Sequence, residues 1–199
     1  GGVGGVVEQD PKQRAAAAGA GEEQDVAVRM YGRMLRRARN TPPTDTLAAA
    51  RPLYVCGKDR MGRPALIIVG RAVHACCGTQ AEREQMILYI VRETAELVLA
   101  PFVVVFLASG MPEDAGPTFD FLRLLLEAMP SALRARLEAF HLVHPSLKMR
   151  FAFVLLGVLL WGKLQWVDRL PQLHRHFVPG QLHVPEFVVH LDDVDDRPR

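Results

Sequence analysis

Leu53–Arg71, LYVCGKDRMGRPALIIVGR, decides the fold. Its first arm, LYVCG, and its last, PALIIVG, are β-branched and aliphatic, and the polar, glycine-containing KDRMGR between them is a turn, so the segment reads as a hairpin with a longer loop. The second arm is apolar at successive positions and therefore on both faces, as in an interior strand covered on both sides. The chain downstream supplies its neighbours. Thr79–Glu82 has the T-x-x-E form of a capping box and opens a helix that runs to Ala100, where Pro101 closes it. FVVVFLA (Phe102–Ala108) is a short, continuous β-branched run and reads as a buried parallel strand. AFHLV (Ala139–Val143) and LQWV (Leu164–Val167) are further strands, separated by helical stretches at Thr118–Met129, Ser131–Leu137 and Leu147–Gly162. Hairpin followed by alternating helix and strand predicts an α/β fold with a twisted, mostly parallel mixed sheet covered by helices.

Upstream, Val26–Arg39 places Val28, Tyr31, Met34 and Leu35 at helical spacing among five arginines, a basic amphipathic helix ended by Asn40 and Pro42-Pro43. Residues 1–25 hold six glycines, an alanine run and no large apolar residue beyond three valines, and read as a disordered linker. Past the last strand, Arg169–Phe177 reads as a small amphipathic helix capped by Asp168. The stretch 184–192 reads as extended, running into a solvated acidic tail at 193–199. The domain is thus expected to span residues 26–192, with 26–40 as its basic N-terminal helix.

In all, 199 residues with 49% hydrophobic content and 24 Lys+Arg against 22 Asp+Glu suit one globular domain with a sizeable core. The near-neutral balance argues against a dedicated nucleic-acid binder, which needs a basic face for phosphates. Three cysteines, Cys56, Cys76 and Cys77, have no disulfide or zinc spacing, and a reducing, cytoplasmic setting is the simpler reading. The first stretch lacks the basic start and apolar block of a secretory signal, which suggests a fragment or trimmed product of a cytosolic protein.

Chemical motifs are sparse. No G-x-S-x-G elbow, P-loop or complete G-x-G-x-x-G follows a strand. Ser109 stands at the carboxyl end of a strand, where α/β folds bind ligands, but alone it reads as a polar loop residue. His141 and His144 are close in sequence yet three apart on a strand, and His174 and His176 point to different faces of a helix, so structural histidines are favoured over a metal site. Cys76-Cys77 precedes a helix start that could activate a thiol, though no histidine or second C-x-x-C cysteine accompanies it. The greasy helices Thr118–Met129 and Leu147–Gly162 carry more apolar surface than one-sided packing needs. The apolar run in the second, FAFVLLGVLLWG, is too short for a bilayer that needs roughly 20 residues.

Five segments in order, Y-x-x-x-L-R-R-A (Tyr31–Ala38), LYVCGKDRMGRPALIIVGR (Leu53–Arg71), FHLVHPSLKMRFAF (Phe140–Phe153), GKLQWVDRLPQL (Gly162–Leu173) and VPEFVVHLD (Val184–Asp192), resemble the divergent CRAL-TRIO lipid-binding domain. The D-x-x-G-R-P turn (Asp59–Pro64) and the strand-His-Pro-helix step are the most specific parts. The resemblance implies a non-catalytic domain whose sheet floors an apolar pocket for a lipid or other hydrophobic ligand. The helix after His144-Pro145 would act as gate. Phe106, Phe119, Leu122, Phe151, Phe153, Leu155 and Leu156 are the pocket or gate candidates it implies. It also implies lipid transfer with transient peripheral contact at membranes. The alternative it carries is an interaction module for small GTPases or their regulators, with the pocket collapsed. No cofactor or metal is expected.

Overall fold

The computed structural model describes residues 11–112, 116–128, 134–157 and 162–195. The hairpin forms as expected from β1 (Leu53–Lys58) and β2 (Pro64–Val69), antiparallel with Leu53 opposite Ile68. Gly57 sits at φ +72° where the register of β1 slips, a conformation that costs a glycine little. The turn is built around Asp59, whose Oδ1 accepts the backbone N–H groups of Met61 and Arg63 at 2.9 Å each, and whose Oδ2 takes the Arg63 guanidinium at 2.6–2.7 Å. The D-x-x-G-R spacing is therefore that of a carboxylate stapling its own loop, with Gly62 at φ +80° making the reversal.

Strands β3 (Phe102–Leu107), β4 (Leu137–Val143) and β5 (Leu164–Val167) add in parallel, giving the order β1-β2-β3-β4-β5. Because each parallel strand is laid beside its predecessor, right-handed crossovers put every connecting helix on one face. That front face carries Leu66, Val104, Phe106, Phe140 and Leu142 in one core. Ala65, Ile67, Val103, Val105, Leu107 and Val143 point to a second core behind. The apolar-throughout strands thus serve two cores, one on each side of the pleat.

The front layer comprises α4 (Gln80–Glu93), α5 (Gly116–Ala128) and, after β4, a helix at Leu147–Gly157. Thr79 closes the expected capping box with Glu82, its hydroxyl and backbone N–H both paired with the Glu82 segment. The helix ends at Glu93 rather than Ala100. Thr94 directs both its N–H and its hydroxyl to the Ile90 carbonyl, and a 3₁₀ turn at Leu97–Leu99 then buries Leu97 and Val98. Two short helices were not foreseen. They are α2 (Asp45–Ala50), capped by the Thr44 hydroxyl, and α3 (Gly70–Ala75), at whose end Cys76 and Cys77 are buried. Each is only six residues long, too brief for a periodic pattern to register.

α1 runs from Pro11 to Asn40, so it takes in residues 11–25, expected as a linker. Ala15–Ala18 and the Glu22–Gln24 stretch are strong helix formers and outweigh Gly19 and Gly21 locally. Its Tyr31, Met34, Leu35 and Ala38 pack on Ile87, Leu88 and Val91 of α4, while Arg29, Arg33, Arg36, Arg37 and Arg39 face solvent.

At the other end, two expectations are corrected. Arg169–Phe177 forms a 3₁₀ helix at Leu170–Arg175, and Arg169, not Asp168, occupies its cap position. The stretch expected to be extended, 184–192, ends in an α-helix, Glu186–Asp195. Pro185 precedes it, Glu186 complements its dipole, and Val188 and Asp192, four apart, face inward. The apparent alternation of VVHL misled because the inward set repeats every four residues. Residues 131–133 of the expected Ser131–Leu137 helix and 158–161 of the Leu147–Gly162 helix lie outside the described residues. No helix among those described is long and apolar enough to cross a membrane.

Candidate functional site

The helix at Leu147–Gly157, here α6, follows His144-Pro145 and packs against the front face through Met149 and Phe153. Ser146 accepts the Met149 N–H at its start, as a helix cap does. At 100° per residue, Met149 and Phe153 share one side, and Leu147, Phe151 and Val154 share the other. Phe153 is fully buried, its ring centroid 5.6 Å from Phe106 and 5.7 Å from Phe140. Phe106 and Phe140 in turn stack at 6.2 Å. Leu122 of α5 is buried in the same apolar layer.

Of the candidates read from the sequence, Phe106, Leu122 and Phe153 therefore converge between sheet and helices. Phe151 does not: it is 76% exposed, because it lies two residues, over half a turn, from both Met149 and Phe153. Leu147 (75%) and Val154 (60%) are exposed beside it, so the outer face of α6 is a row of large apolar side chains. The side chains of Phe119, Leu155 and Leu156 lie outside those described.

A second concave feature opens where the parallel strands end. A cleft of about 590 Å³ is walled by Met111, Met149, Leu191 and Val194, with Ser109, His144, Ser146, Arg150 and Asp168 as polar groups. Ser109 follows β3, His144 follows β4, and Asp192 reaches in from the C-terminal helix Glu186–Asp195, here α7. Ser109 Oγ is 2.8 Å from His144 Nδ1, and His144 Nε2 is 2.7 Å from Asp192 Oδ1. The same carboxylate oxygen accepts the Leu170 backbone N–H at 3.0 Å and has the Arg169 guanidinium at 3.6 Å. His144 holds a left-handed backbone, φ +52°, rare outside glycine.

A carboxylate can only accept, so Nε2 carries a proton, and in the neutral imidazole the Nδ1 lone pair then faces the serine hydroxyl. Positions 109, 144 and 192 are separated by whole supersecondary units, and only the strand-end placement of the first gave a hint in sequence.

Of the other titratable candidates, Cys77 and His141 are buried. Burial, then the neighbouring Cys76, pushes the Cys77 thiol up to about 12, the reverse of an activated nucleophile. Burial and the nearby His176 hold His141 down at about 4, with the two rings 4.6 Å apart against Phe177 in the rear core. Among the described residues no group of His, Cys, Asp or Glu is arranged to hold a metal ion.

A hairpin-led parallel sheet, helices on its front face and a helix after a His-Pro step are the architecture of a CRAL-TRIO-type α/β domain. The model of the divergent CRAL/TRIO domain matches residues 62–194, and the chain belongs to that family. Among curated proteins it is similar to ganglioside-induced differentiation-associated protein 2 of Xenopus tropicalis, 28% identical over 176 residues that cover 85% of this chain and 34% of that protein. The Danio rerio protein of the same name is 28% identical, covering 88% and 35%. The GDAP2 homolog of Nematostella vectensis is 28% identical, covering 93% and 37%. The chain thus spans about a third of the length of these relatives. Among solved structures, Sfh5 has a similar fold, with a TM-score of 0.57 and 9% identity over 82% of this chain and 70% of that one.

Proposed function

We propose that this domain binds one lipid or other hydrophobic molecule between the front face of its sheet and α6, and takes it up during transient contact with a membrane. The observation that carries the reading is the division of α6. Phe153 and Met149 close the apolar layer over Phe106 and Phe140, while Leu147, Phe151 and Val154 stand in solvent on the opposite side. An exposed row of this kind on a helix in the gate position supplies apolar area for a bilayer to cover, at about 25 cal/mol per Å². An acyl chain gains on the same scale in displacing the inner rings.

The test is uptake of a fluorescent acyl lipid from phosphatidylcholine vesicles, compared between the wild-type chain and Phe151→Asp. Wild-type uptake that falls several-fold in the variant is expected. No uptake by the wild type would overturn the reading.

A second reading, an interaction module for small GTPases or their regulators, draws support from the mutual packing of Phe106, Phe140 and Phe153, which occupies the space a ligand would need. It requires that displacing these rings gain nothing.

A further inference from the structure

We propose that Ser109, His144 and Asp192 form a nucleophilic triad that hydrolyses carboxylic esters in the cleft at the carboxyl ends of the parallel strands. The resemblance to a lipid-binding domain implies no catalysis; the side-chain geometry argues for it, independently of any ligand under α6. Three groups from three elements meet in the order hydroxyl, imidazole, carboxylate at 2.8 and 2.7 Å, both within hydrogen-bond reach. Asp192 is buried and further fixed by the Leu170 N–H, so it holds the imidazole in one tautomer and can stabilise the imidazolium that forms. Here Nδ1 rather than Nε2 faces the serine; a general base requires only that the nitrogen at the hydroxyl carry the lone pair. The left-handed backbone at His144 is strain of the kind that collects at functional sites. The cleft, about 590 Å³, lies within the range of small-molecule sites. Its Met111, Met149, Leu191 and Val194 walls suit a short acyl chain, beside the Arg150–Asp168 ion pair that lines the same cleft.

The step balances with water as the only co-reactant. Ser109 Oγ attacks the ester carbonyl carbon as His144 Nδ1 takes the hydroxyl proton. The bond from that carbon to the alkoxy oxygen breaks, and the proton passes to the departing alcohol. Water then attacks the acyl-serine, gives a proton to Nδ1, and the carboxylic acid leaves as Ser109 regains its hydrogen. Gly110, at φ +69°, turns the chain directly after the nucleophile.

The experiment combines labelling of the purified full chain by a fluorophosphonate with hydrolysis of p-nitrophenyl acetate, butyrate and octanoate. Mass shift mapped to Ser109, and ester turnover that falls to background in Ser109→Ala, are expected. Asp192→Asn should slow turnover by about 10⁴-fold, as in other triads, through the wrong tautomer. Should Asp192→Asn fail to fold, as judged by its melting curve, Ser109→Ala carries the test, since it deletes a single hydroxyl. Absence of label on Ser109, absence of turnover with all three esters, or turnover unchanged in Ser109→Ala would overturn the proposal. So would a folded Asp192→Asn that is labelled at the wild-type rate.

Discussion

Truncating Phe153 and Phe151, two residues apart on one helix, should have very unequal consequences. Phe153 is fully buried against Phe106 and Phe140, whereas Phe151 is 76% exposed. Phe153→Ala removes a ring from a packed layer, with a cost of about 3–5 kcal/mol for a buried Phe→Ala change. That range already includes its two aromatic contacts, each worth about 0.5–1.5 kcal/mol. For a domain of this size the change lowers the melting temperature by roughly 6–20 °C. Phe151→Ala should stay within about 0.5 kcal/mol of wild type. Urea unfolding followed by tryptophan fluorescence measures both. Equal losses, or a larger loss at Phe151, would refute the division of α6 into an inner and an outer face. The same pair bears on the pocket: Phe153→Ala should take up a small apolar probe such as an aliphatic dye more readily than wild type.

Replacing Asp59 with Ala should cost about 1.5–3 kcal/mol, since its charge-assisted bonds to Arg63 and to two backbone N–H groups are lost together, and urea titration reads the loss. Burial pushes the Asp59 carboxyl up, but the Arg63 guanidinium and the Arg63 and Met61 N–H groups pull it below its ordinary value. Its stabilisation is therefore present above the usual carboxylate range of about 3.9 and fades as pH falls through the lower folded value. His141, held at about 4, is neutral in folded and unfolded chains above about pH 6.5. As pH falls from there towards 4 the unfolded chain takes the proton that the folded chain refuses. Stability should drop by roughly 3 kcal/mol, and His141→Leu should flatten that part of the unfolding-versus-pH curve. Gly57→Ala should destabilise by more than about 1 kcal/mol, because φ +72° disfavours a Cβ that would also meet the Gln181 carbonyl oxygen at 2.5 Å; thermal melting tests it.

The sheet was legible because its strands are continuous β-branched runs punctuated by Pro, Gly and a capping box, signals that act within a few residues. Phe106 could be placed in a buried strand for the same local reason, whereas Phe153 came only with the family resemblance. Phe151 could not, since choosing between two phenylalanines on an apolar helix depends on which side meets the sheet, and LKMRFAFVLLG has apolar residues on both. The C-terminal helix escaped notice because four apolar residues in EFVVHL satisfy either period over so short a span. Asp192 was read as the end of an extended stretch for the same reason, with no inward face assigned to it. Its pairing with His144, 48 residues away, is a product of topology: the strand order fixes where β3 and β4 end, and α7 then crosses those ends. Ser109 was visible as a residue at a strand end, but its partners were not.

The central claim, that the domain holds a hydrophobic ligand, is tested most directly by native mass spectrometry of the chain as purified from cells, with lipid extraction and identification of what is released. A bound species of lipid mass at one per chain, retained through purification and exchanged on incubation with mixed-lipid vesicles, is expected. A clean mass of 22.1 kDa with nothing extracted, and nothing acquired from those vesicles, would contradict it.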